Sequence, residues 1–151
     1  LYCMKKTQKK YTDYGYGFPV QIMNAPLIKI RGSWSLNLNQ KDLEQAVLYA
    51  LSNKKSRLTG NEIKFIRQIY FMNLAEFGKR FGNVSHAAVI KWESFKDDCT
   101  NMNWACEKDI RLHIGTNIFP NELLGLYSNL EDVASTKNTQ LELDADNISA
   151  A

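Results

Sequence analysis

The run Met72–Glu93, MNLAEFGKRFGNVSHAAVIKWE, restricts this chain most, because two helix starts stand in it with a glycine turn between them. Asn73 and Ser85 are both residue types whose side-chain oxygen satisfies the free N–H groups that open a helix. Phe77 and Phe81 lie four residues apart, so they share one helical face and point inward. Gly82 falls where the first helix has to stop, and Val89 and Trp92 repeat the inward spacing in the second. Gly78, without a Cβ, stands where the two helices approach each other. Such a pair leaves the first turn of its second helix projecting outward.

The flanking sequence has its own punctuation. Met4 to Lys10 is polar and basic without periodicity, and with the rest of residues 1–17 it reads as a flexible basic arm. Residues 18–57 read as a β-plus-helix element. In FPVQIMNAPLIKIR the Asn24-Ala25-Pro26 break separates two short extended pieces, and Asn39 with Asp42 three residues on opens a helix at about 40–53 carrying Leu43, Ala46, Val47, Ala50 and Leu51 inward. Thr59 and Glu62 form a capping-box pattern ahead of Ile63, Ile66 and Tyr70, for a helix running to about Phe71. Asn103 starts another, and Pro120 opens a short one through NELLGLY. Residues 58–130 are thus the main helical domain, and 131–151 read as a disordered acidic tail.

Charge is laid out unevenly along the chain. Residues 1–96 hold sixteen Lys and Arg against six Asp and Glu, a net of +10, whereas residues 97–151 hold three against ten, a net of −7. A basic front followed by an acidic end fits a body that binds a polyanion, and it fits solvated charge as well.

LTGNEIKFIRQIYFMNLAEFGKRF followed by VSHAAVIKWE resembles the XRE/Cro-type helix-turn-helix, and especially the helix-turn-helix half of MqsA-like antitoxins, over Leu58 to Glu93. The resemblance implies a mainly α fold, a five-helix XRE-type domain with a small β-containing N-terminal segment. It further implies a sequence-specific DNA-binding transcriptional repressor, in an antitoxin setting one that autoregulates its operon, with double-stranded operator DNA, a second copy of itself and a cognate toxin as partners. Two departures stand out: Asn83 lengthens the turn by one residue, and residues 18–57 lack the cysteine pairs of a zinc-binding N-terminal half.

Chemistry assigns the roles. Asn73 and Ser85, at helix starts, are placed to meet phosphates, and Lys79, Arg80 and Lys91 add charge-assisted contacts. His86 is placed to hydrogen-bond a base edge or to touch phosphate, Ala87 to meet a thymine methyl and Lys91 to reach guanine or backbone, with Ile90 a further exposed candidate a turn after Ala87. The Lys5, Lys6, Lys9 and Lys10 cluster is either an arm for a minor groove or a solvated tail. Two-fold operators are read by dimers; the candidate dimer surfaces are the helix at about 40–53 and the Trp104 to Leu126 region, and the latter, with Leu112, Ile114, Leu123 and Leu124, is preferred.

No cofactor is expected. Cys3, Cys99 and Cys106 form no CxxC pair, and with only His86 and His113 to assist them they make a poor metal set. Neither histidine has a nucleophile and an orienting group at motif spacing, so no enzyme is expected unless folding gathers His113, Glu107 and Cys106. There is no apolar run long enough to span a membrane and no secretory signal, which makes the cytoplasm the expected compartment. A stand-alone phage or plasmid-type repressor and a partner-binding module without DNA binding stay open as alternatives. A small basic protein encoded immediately beside this one would favour the antitoxin.

Overall fold

β2 (Val20–Ile30) organises the first of two units in the computed structural model, which describes residues 4–133 and 137–149. That unit takes in the chain up to Ala50 and again from Gln140. β1 (Lys5–Asp13) pairs antiparallel along most of β2, from Asp13 opposite Val20 to Lys5 opposite Ile28. The other edge of β2 is shared: β4 (Leu141–Asp144) runs parallel beside Val20–Met23, and β3 (Ser33–Leu36) runs antiparallel beside Leu27–Ile30. Asn24, with φ 55°, changes the phase of β2, so the buried set moves from Val20 and Ile22 to Ala25 and Leu27. Asparagine tolerates that left-handed conformation better than most residues. α1 (Gln40–Ser52) begins where Asn39 Oδ1 accepts from Asp42 N at 3.1 Å, and buries Leu43, Val47 and Leu48. With Leu141 and Leu143 these make the unit's core, each side chain contributing roughly 1.5–3 kcal/mol of burial.

The second unit, Leu51 to Thr139, is helical. It holds α2 (Gly60–Ile69), α3 (Leu74–Arg80), α4 (His86–Glu93), α5 (Trp104–Ile118) and α6 (Leu123–Asn129), the last opened by a 3₁₀ turn at Pro120–Glu122. Thr59 and Glu62 form the full capping box of α2. Ile63, Ile66, Phe77, Phe81, Val89, Ile110, Ile114 and Leu126 are its apolar core. Beside that core lies an ionic cluster. The fully buried Arg111 guanidinium donates to Glu107 Oε2 at 2.9 Å and to the carbonyls of Lys54 and Ser56 at 2.5 and 2.7 Å. Glu107 Oε1 accepts from Arg57 at 2.9 Å and from Leu58 N, while Lys54 pairs with Glu62 at 2.7 Å. Burial pulls the Arg111 guanidinium below its ordinary pKa, and the Glu107 carboxylate opposes that shift.

Four expectations need correcting. The chain is not a mainly α fold: its four strands make a sheet that is as much a part of the architecture as the six helices among the described residues. The flexible arm is, over Lys5–Asp13, strand β1, held by a backbone ladder that its polar sequence does not advertise. The disordered tail contributes β4 and a 3₁₀ turn at Ala145–Asn147, because Leu141 and Leu143 face inward and pair with a strand about 120 residues earlier. Residues 18–31 likewise give one strand running through Asn24 to Pro26 rather than two pieces. No helix among the described residues is long and apolar enough to cross a membrane.

Candidate nucleic-acid interface

α3 is fixed at its start by a complete capping box, Asn73 Oδ1 accepting from Glu76 N at 2.8 Å and Glu76 Oε1 from Asn73 N at 3.1 Å. Phe77 and Phe81 then go into the core with ring centroids 4.9 Å apart. Gly82 and Asn83 both take left-handed φ, 87° and 50°, and reverse the chain, and Val84 N donates back to Gly78 O at 2.9 Å. The turn insertion is thus absorbed by two residue types suited to that conformation.

α4 leaves this turn with Val89 and Trp92 buried and with Ser85, His86, Ala87, Ile90 and Lys91 exposed, Ile90 at 49%. Its position is set from two sides. A Cβ on Gly78 would stand 2.6 Å from Val84 O and 3.1 Å from Val89 Cγ2, so only glycine lets α3 lie this close. At the far end, a Cβ on Gly60 would meet the Trp92 and Glu93 carbonyls at 2.7 and 2.8 Å. There Arg67 forms a two-pronged pair with Glu93, at 2.6 and 3.1 Å, and donates to Met72 O as well. Arg67 therefore ties α2, the loop before α3 and the end of α4 together. The sequence did not single it out, although the glutamate that closes the KWE run was its signal.

The structure distributes the predicted site residues unequally. Ser85, His86 and Ala87 are exposed at the head of α4 and Ile90 and Lys91 a turn later, while Lys79 is exposed on α3. Arg80 is exposed too, but it pairs with Asp109 at 2.9 Å and lies 4.5 Å from the Phe81 ring centre, so its charge is partly matched within the protein. Ser85 stands at the N-cap in extended conformation, yet its side chain makes no capping hydrogen bond, contrary to its expected role as the cap of α4. The Asn73 amide and side-chain oxygen are taken by the capping box, which puts the Glu76 carboxylate where a phosphate was expected.

His113, Glu107 and Cys106 are engaged separately. His113 packs edge-on against Tyr70 and Phe81, with ring centres 5.0 and 5.4 Å away, Glu107 is held by Arg57 and Arg111, and Cys106 is buried with its thiol pushed up to about 11 by burial and by Asp109. Cys99 and Cys106 are free thiols, and Cys3 lies outside the described residues. Of the expected dimer surface, Ile114 belongs to the core, whereas Leu124 is 87% exposed; Tyr127, just beyond it, is 49% exposed.

No family model, curated protein or solved structure matches this chain.

Proposed function

We propose that the protein is a sequence-specific DNA-binding transcriptional regulator that reads duplex DNA with the head of α4. One observation carries this: Ser85, His86 and Ala87, and a turn later Ile90 and Lys91, are exposed on a helix that Val89 and Trp92 anchor in the core. A short helix fixed in this way, with hydrogen-bonding, apolar and cationic side chains in its first two turns, has the chemistry of major-groove recognition. In this proposal His86 and Lys91 address base edges or phosphates, Ala87 and Ile90 offer apolar contact, and Lys79 adds a phosphate contact. The active species is a homodimer, for which the exposed Leu124 and Tyr127 of α6 are the natural apolar contacts.

Repression as an antitoxin is a finer form of the same proposal. The acidic residues 141–149 are not a free segment that could fold onto a basic partner, since they are part of the first unit. What favours a basic partner is a pocket of about 570 Å³ in that unit, where Asp42, Glu142 and Asp144 stand among Tyr49, Leu143 and Ile148. Carboxylates beside apolar walls suit a lysine or arginine side chain with its aliphatic stem.

The test is an electrophoretic shift of the purified protein on the DNA upstream of its own coding sequence, at low and moderate salt, beside a His86→Ala, Lys91→Ala variant. A specific, salt-weakened shift that the variant loses supports the function. No shift of the parent protein removes it.

A further inference from the structure

β1 has the composition of a solvated tail and the geometry of a ladder strand. Lys5, Lys6, Lys9 and Lys10 are all exposed, and no carboxylate appears in the strand before Asp13. Among the described residues β1 pairs with β2 alone, so its other edge is open. The neighbouring hairpin adds Lys29 on β2 and Arg31 in the turn, and Trp34 on β3 lies between two of the cations, its ring centre 4.3 Å from Lys6 Nζ and 5.9 Å from Lys29 Nζ. None of these six cations forms an ion pair with a carboxylate among the described residues.

Lysines on an edge strand are a common defence against unwanted strand pairing. That accounts for part of β1 but not for Lys29, on the central strand β2, or for Arg31, in the turn after it. Spacing supplies a second reason. An antiparallel strand rises about 3.4 Å per residue and turns successive side chains to opposite faces, so Lys5 to Lys10 extend over about 17 Å along the open edge with cations on both sides of it.

We infer that β1, with Lys29 and Arg31, is a second DNA-contacting surface, which grips the phosphate backbone without reading sequence. The inference rests on the DNA-binding function proposed above. It assigns affinity and salt dependence to the sheet unit and base discrimination to α4.

Affinity of the full chain for a duplex carrying its site and for a scrambled duplex is measured across a salt series. The variants are Lys5→Gln, Lys6→Gln, Lys9→Gln, Lys10→Gln combined, the same four positions changed to Arg, and His86→Ala with Lys91→Ala. Each phosphate contact contributes about 0.9 to the slope of log affinity against log salt. The glutamine variant should therefore bind both duplexes at least tenfold more weakly, with a slope shallower by about two to four. The arginine variant should match the parent, and the α4 variant should lose the preference for the site while keeping most of the slope. Parent-like binding and slope in the glutamine variant overturn the inference, and so does an arginine variant as weak as the glutamine one. If the parent binds duplex and the α4 variant binds as the parent does, the assignment to α4 fails while that to β1 stands. A parent protein that binds no duplex at any salt, or that binds only vesicles of anionic lipid, overturns both.

Discussion

Replacing Glu107 by leucine tests whether the ionic cluster holds the helical unit together. Both Glu107 and Arg111 are fully buried, and their ion pair is 2.9 Å long. Leucine leaves the Arg111 guanidinium without its carboxylate and takes an acceptor from Arg57 and from Leu58 N. Removing one partner of a buried pair costs about 3–5 kcal/mol, a large share of the roughly 5–15 kcal/mol that folds a typical domain. Arg111→Met is a different perturbation. Glu107 keeps Arg57 as counter-ion, but the Lys54 and Ser56 carbonyls lose their donor, at about 1–3 kcal/mol for each buried acceptor left unmet. In the double variant the fully buried Arg111 guanidinium is gone and only the less buried Arg57 lacks its carboxylate, so the cost should fall short of the two single costs added together by about 2–3 kcal/mol. It should still exceed zero, because the two carbonyls stay unpaired. Urea unfolding followed by tryptophan fluorescence measures all three, with Trp104 as a local reporter 5.1 Å from the Arg57 guanidinium and 5.7 Å from that of Arg111. A single-variant loss below about 1 kcal/mol, or a cycle additive to within about 0.5 kcal/mol, would refute the cluster's role.

Gly78→Ala should destabilise the protein by about 1–2 kcal/mol in thermal unfolding, since a clash with the Val84 carbonyl outweighs the better helix propensity of alanine. Gly125→Ala on α6, where nothing lies within 4 Å of the new Cβ, should be neutral or raise the melting temperature; equal behaviour of the two variants would contradict the close approach of α3 and α4. His113 has its pKa lowered from 6.5, chiefly by burial and then by Arg80, with Asp109 opposing. The unfolded chain then takes up a proton at higher pH than the folded one, so the stability present above about pH 6.5 is lost as pH falls through the folded value. Melting curves from pH 7.5 to 5 should show this decline in the parent and a weaker one in His113→Phe, and identical slopes would exclude His113 as its source.

The helical hairpin is legible because its determinants are local. Thr59 with Glu62 forms its box across three residues, as does Asn73 with Glu76, Phe77 and Phe81 share a face one turn apart, and Gly78 and Gly82 mark the close approach and the stop. The sheet is not legible in that way. KKTQKK carries no apolar alternation, and what makes it a strand is a ladder to β2 that only the folded chain supplies. LELD does carry the period-two signal, Leu141 and Leu143 in and Glu142 and Asp144 out, but it sits in a stretch whose acidity and low aromatic content read as unfolded.

The same distinction orders the proposed site. A sequence states the sign of a charge but not its partner, and the partner decides how much of that charge a phosphate meets. Arg80 and Lys91 read alike in the sequence, as cations flanking the turn. Folding brings Asp109 of α5 to Arg80, 29 residues away, and leaves Lys91 exposed without an ion pair among the described residues. A phosphate approaching Arg80 has to compete with a carboxylate already 2.9 Å away, whereas at Lys91 it replaces only water and counter-ions. Arg67, also cationic, is taken further out of play, since both prongs of its guanidinium are spent on Glu93 to hold α4 in place. Between the two exposed cations, Lys91 should therefore carry the larger share of both affinity and salt dependence at the head of α4.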